Sequence, residues 1–140
     1  MKWWRWALPV LIGVALMAVA AFAGNDIRMG GSLWAVIEDG GAFRINGSLV
    51  GQFEPDGTVR KDGSIVGSVE ADGTIRMNGS LFGNVEMDGT LRKGGSLYGA
   101  IENDGTIRKN GSIWGSVAQA GTFDQKRAVA ALLFFFCEDF

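Results

Sequence analysis

Arg28, Arg44, Arg60, Arg76, Arg92 and Arg108 fall 16 residues apart, with no insertion or deletion between them. A serine series from Ser32 to Ser112 and a glycine series from Gly31 to Gly111 keep the same step, giving the consensus DGTIRKNGSIxGxVE. A fixed period of this kind confines the chain to architectures in which one small unit recurs and buries its apolar face only against its neighbours.

The unit in residues 58–73 divides into a short segment Thr58-Val59-Arg60, a turn Lys61-Asp62-Gly63, a longer segment from Ser64 to Glu70, and a second turn Ala71-Asp72-Gly73. Both turns have the form x-[Asn/Asp]-Gly, which suits a three-residue hairpin loop: a type I turn accepts Asn or Asp, and Gly supplies the left-handed residue that follows. Pro55 stands at the first position of such a loop, where its fixed φ fits. With three-residue loops at both ends, Val69 faces Ile75, Ser68 faces Arg76, and Ile75 faces Leu81. Strict alternation then puts Val69, Ile75 and Leu81 inside and Ser68, Glu70, Thr74, Arg76, Ser80 and Phe82 outside.

Each long strand must serve two neighbouring hairpins, and a glycine lies at its midpoint: Gly51, Gly67, Gly83, Gly99 and Gly115, with Ala35 in the first repeat. A residue without a side chain suits a crowded bend, so these read as corners between petals. Short strands centred on Phe43, Val59, Ile75, Leu91 and Ile107 have partners on both sides, which predicts five three-stranded petals and half-petals around Ile27 and Phe123. The expected fold class is thus all-β, a radial closed array of five petals with the apolar C-terminal tail packed on it. Expected inward residues are the short-strand centres from Ile27 to Phe123, the series from Leu33 to Ile113, and the series from Ile37 to Val117.

Three regions are expected: a secretory signal peptide at 1–23, the repeat domain at 24–125, and an apolar tail at 126–140. The first has basic Lys2 and Arg5, an apolar run over residues 10–22, and Ala21 and Ala23 before Gly24. If it is not cleaved, the stretch from Ala7 to Ala23 is a membrane anchor and makes the membrane contact. With Lys2 and Arg5 removed from the 13 basic residues, 11 face 15 acidic ones, a formal charge of −4. Nucleic acid is therefore not an expected partner. The chain has no histidine and one cysteine, Cys137, which excludes a His-Cys metal centre, a histidine base and an internal disulfide. No catalytic, cofactor or metal residues are assigned.

The exported start, the recurrent DGTIR and G-S-[I/L]-x-G motifs between Asn25 and Asp124, and the run Phe134-Phe135-Phe136 resemble the bacterial five-fold β-flower repeat proteins. The resemblance implies a compact radial arrangement of hairpins. That family carries no assigned activity, so it transfers no site residues. The chain departs from it in continuing through Cys137-Glu138-Asp139-Phe140, and in a last repeat that degrades at Ala118 and Asp124.

Three side-chain series invite a functional reading. Glu38, Glu54, Glu70, Glu86 and Glu102 each stand six residues before an arginine, and where Ala118 replaces the next Glu, Asp124 replaces the matching Arg. This points to cross-strand ion pairs rather than a ligand ring. Asp56, Asp72, Asp88 and Asp104 recur in turns, at a spacing that matches neither an EF-hand nor a nonapeptide calcium repeat. The aromatic members of the series before each corner, Trp34, Phe82, Tyr98 and Trp114, are candidate ligand-binding residues if they line an exposed platform, and a second packing layer if the tail covers them. The expected function is an exported, secreted or periplasmic, non-catalytic structural or binding module of the envelope, its partner an envelope protein or glycan. The alternatives are a protein acting on a glycan or other envelope ligand at the aromatic corners, and a membrane-tethered module.

Overall fold

The computed structural model describes residues 24–140. The signal peptide or anchor expected over residues 1–23 lies outside them. Twelve antiparallel strands form a closed barrel in strict sequence order. Short strands β1 (Asn25–Met29), β3 (Ala42–Ile45), β5 (Thr58–Lys61), β7 (Thr74–Met77), β9 (Thr90–Lys93) and β11 (Thr106–Lys109) alternate with long ones. The long strands are β2 (Ser32–Ile37), β4 (Ser48–Phe53), β6 (Ser64–Val69), β8 (Ser80–Val85), β10 (Ser96–Ile101) and β12 (Ser112–Val117). One helix among the described residues, α1 (Phe123–Phe136), follows.

The expectation of five petals and two half-petals gives way to six equivalent repeats. β1 is paired on both sides, with β2 and also with β12 through Ile27↔Val117, Arg28↔Ser116 and Met29↔Gly115. The long strand that β1 lacks upstream comes from the last repeat, so closure supplies the missing half-petal. Phe123, expected at the centre of the other half-petal, instead opens α1. Thr122 Oγ1 accepts from the Gln125 amide, and Gln125 Oε1 accepts from the Thr122 amide, a reciprocal cap that starts a helix where the repeat pattern fails.

The two turns of each repeat are not alike. Residues 71–73 form the expected three-residue loop, with Gly73 at φ 95° and Val69 paired with Ile75. The other turn has two residues: Asn78 at φ 52° and Gly79 at φ 84° put both central positions in the left-handed region, and Met77 pairs directly with Ser80. This is the type I′ geometry that matches strand twist and that Asn-Gly favours. Losing one loop residue shifts the register, and a bulge restores it: Arg76 pairs with Leu81 and Ile75 with Gly83, leaving Phe82 as the extra residue.

The slip reverses one predicted series. Leu33, Leu49, Ile65, Leu81, Leu97 and Ile113, expected inside, stand beside the arginines on the outer wall and are 50–70% exposed. The other two series do point inward: Ile27, Phe43, Val59, Ile75, Leu91 and Ile107 have no exposed surface, nor do Val69, Val85 and Ile101.

The tail does not cap the barrel; it fills it. Val129, Ala130, Ala131, Leu132 and Leu133 are wholly buried, so α1 is enclosed around its full circumference, as an all-round apolar helix must be. Its 14 residues extend about 21 Å, close to the about 20 Å of a six-residue strand. The helix enters at the end carrying the three-residue loops, where Arg127 Nε donates to Glu70 O at 2.9 Å and its terminal nitrogen to Val69 O at 2.6 Å. It leaves at the two-residue-turn end, where Phe136 meets Phe43 edge-on with centroids 5.3 Å apart. The glycine corners make room for it: a Cβ on Gly67 would lie 2.6 Å from the Phe135 ring, and one on Gly51 would strike Phe136.

Candidate functional site

The aromatic corner residues sit at the two-residue-turn mouth, on the lumen side. The bulge turns the Phe82 ring inward, where it meets Phe134 at 5.7 Å. Tyr98 packs on Phe134 and Phe140, Trp114 on Phe140 at 5.4 Å, and Trp34 on Trp114 at 5.8 Å. All four are half-buried and join the core cluster. The structure thus brings Trp34, Phe82, Tyr98 and Trp114 together with the tail aromatics in one layer of contacts, edge-to-face except for the tilted Tyr98–Phe134 pair, each worth about 0.5–1.5 kcal/mol beyond the area it buries. Lysines line the mouth above them: Lys93 Nζ lies 4.9 Å from the Tyr98 centroid, and Lys61 lies 5.7 Å from that of Phe136.

On the outer wall the arginine series forms the expected ion pairs. Arg44 Nε reaches Glu38 at 3.1 Å; Arg76, Arg92 and Arg108 reach Glu70, Glu86 and Glu102 at 2.6 Å; Arg60 bonds Glu54 in the same way. The guanidinium also donates to a carbonyl of the two-residue turn, as in Arg108 to Gly111 at 3.3 Å. Arg44, Arg60, Arg92 and Arg108 therefore each tie a loop-end glutamate to the turn at the opposite end. With both partners about 40% exposed, such a pair adds only about 0.2–1 kcal/mol.

The turn aspartates are also committed. Asp72 Oδ1 accepts from the Thr74 amide at 2.9 Å, and Asp56, Asp88 and Asp104 do the same with Thr58, Thr90 and Thr106. That amide, helped by the threonine hydroxyl, holds each carboxyl below the usual aspartate range. A carboxyl depressed in the folded state stabilises it above the unfolded pKa, and the contribution disappears as pH falls through the folded value. The melting temperature is therefore expected to hold from neutral pH to about 5 and to fall below about 4. Replacing all four aspartates with Asn should flatten that fall in a calorimetric pH series.

Sequence reasoning missed two features. One is the pair of buried cations at the helix entrance: Lys126 donates to Ala120 O at 2.7 Å and to Asn103, and Arg127 bonds Asp124 at 3.1 Å while lying over the Phe53 ring. They add side-chain donors to the carbonyls of Val69, Glu70 and Ala120, an arrangement legible only once the helix is known to enter there. The other is an open cleft of about 400 Å³ beside the entrance, lined by Asn25, Asp39, Glu54, Gln119, Gln125 and Arg127 among others. It lies between the loops that follow β2 and β4 and the first turn of α1. Burial pushes the Cys137 thiol up, as befits a residue packed among apolar neighbours.

Compared with protein-family models, with curated proteins and with solved structures, the chain matches none of them.

Proposed function

We propose that the chain is an exported, non-catalytic structural or binding module of a bacterial envelope, related to the β-flower repeat proteins. The observation that carries this reading is the commitment of its polar side chains to the scaffold. Five glutamates are held by arginines and four aspartates by turn amides. The lumen, where barrels usually keep ligands, is occupied by α1. The basic and apolar start with its Ala21-Phe22-Ala23 site supports export.

A second reading, the capture of a small polar envelope ligand such as a glycan fragment, is favoured by the cleft at the helix entrance, whose carboxylates and amides suit hydroxyl groups. Fractionation of expressing cells followed by intact-mass measurement tests the main proposal. The expected result is a chain beginning at Gly24 in the periplasmic or extracellular fraction. An intact chain held in the membrane would favour the tethered module, and a cytoplasmic chain would overturn export altogether.

A further inference from the structure

We infer that the two-residue-turn end of the barrel docks into the surface of a lipid bilayer through its ring of outward aliphatic side chains; this deepens the envelope reading by naming a partner, and rests on it. Leu33, Leu49, Ile65, Leu81, Leu97 and Ile113 occupy one position in every repeat, immediately after the turn and serine, and all are 50–70% exposed. Successive members are two strands apart, about 9–10 Å, with the arginine stems between them, since Arg76 is paired with Leu81 and Arg92 with Leu97. Alkyl stems that carry a charge at their tips belong at a boundary between apolar and polar media.

The same end is poor in charge at its tips. Five of its six turns are Gly-Gly or Asn-Gly, Asp62-Gly63 being the exception. Its rim carries half-buried Met29, Ile45 and Met77 together with Lys61, Lys93 and Lys109, set against Asp62, Glu138 and Asp139. The opposite end carries Asp39 and the turn aspartates Asp56, Asp72, Asp88 and Asp104, and so is the end that water keeps.

The geometry selects a lipid layer over a protein. The ring faces radially outward around the whole circumference. A second copy laid against one side would reach about half of it, short of the about 800 Å² per partner that a stable interface buries. End-to-end stacking would leave the ring in water. A headgroup layer surrounds an inserted end, and immersion by about 5–10 Å covers every member at once. The rest of the outer wall, with its threonines and Arg–Glu pairs, lacks the apolar band about 25 Å tall of a membrane-spanning barrel, so docking stops at the ring. Because the lysines of the rim are balanced by Asp62, Glu138 and Asp139, and every ring arginine except Arg28 by a glutamate, apolar burial drives the docking and salt changes it little.

Vesicle co-sedimentation with the chain in its exported form tests this, using phosphatidylcholine vesicles and mixed phosphatidylethanolamine–phosphatidylglycerol vesicles. Binding to both is expected. The triple variant Leu81→Ser, Leu97→Ser, Ile113→Ser is expected to partition at least about tenfold more weakly, while Met87→Ser, which alters an exposed apolar residue away from the ring, leaves partitioning unchanged. Quenching of Trp34 and Trp114 fluorescence by brominated lipid is expected for the unaltered chain and reads docking without relying on the triple variant. Equal partitioning of the triple variant, absence of quenching, or a concentration-dependent dimer that the triple variant abolishes would each overturn the inference. An exported chain that ignores vesicles sinks only this inference, whereas a chain that stays in the cytoplasm sinks the envelope reading itself.

Discussion

Ending the chain at Gly121 is expected to abolish cooperative folding of the barrel. The deletion removes every α1 side chain from the lumen, including Val129, Leu132 and Leu133, each wholly buried and each worth about 1.5–3 kcal/mol in gross burial. It also exposes the inward faces of Ile27, Phe43, Ile75, Leu91 and Ile107 to water or to an empty cavity, and an unfilled cavity adds its own penalty. Arg127 and Lys126 go with the helix, so the carbonyls of Val69 and Ala120 lose these donors and Glu70 O keeps only the Gly73 amide. Together these losses match or exceed the about 5–15 kcal/mol net stability of a whole domain. The truncated chain should show no sigmoidal thermal transition by circular dichroism and should bind a hydrophobic dye in buffer. A truncated barrel that melts at the temperature of the full chain would show that the strands close without their filling.

Gly67→Val is expected to destabilise the protein by about 3 kcal/mol, at the upper end of the usual cost of overpacking. The site is closed on two sides: a Cβ there would overlap Arg76 O on the next strand and come within 2.6 Å of Phe135 on the helix. Neither can yield easily, because the carbonyl belongs to the β7 backbone and the ring is wedged at the mouth. Ala35, 2% exposed at the equivalent place in the first repeat, shows that the barrel can absorb one methyl group there, so Gly67→Ala should cost less than Gly67→Val. Gly121→Ala, built into open space, should change stability by no more than about 0.5 kcal/mol. Urea denaturation of the three variants gives the order directly; equal midpoints for Gly67→Val and Gly121→Ala would refute the account of the corners.

What could be read from residues alone was whatever one repeat determines by itself. The three-residue loop at 71–73, the facing of Val69 and Ile75, the Glu70–Arg76 pair and the crowding at Gly67 all follow from spacing within a unit and its neighbour. Asn78-Gly79 was ambiguous because the same dipeptide serves a two-residue I′ turn and a three-residue loop, and the choice between them is settled by strand twist and by the bulge at Phe82. One residue of slip then moved Leu81 to the outer wall and Phe82 to the lumen, which relocated both the predicted core series and the candidate aromatic site. Closure between β1 and β12 lies beyond any single repeat, since it depends on how many units a circuit holds. The helix had a local signal, Thr122 followed three residues later by Gln125, at the point where Asp124 displaces the repeat's arginine.

The central claim is that six repeats close upon themselves around α1, and native-state amide hydrogen exchange tests it most directly. In a closed barrel the amides of β1 and β12 that join across Ile27, Arg28, Val117 and Ser116 exchange as slowly as the inter-strand amides of β7 and β8, because all of them open only with the whole structure. If β1 exchanges at the rate of a frayed terminus while β7 stays protected, the ring is open and the account is wrong.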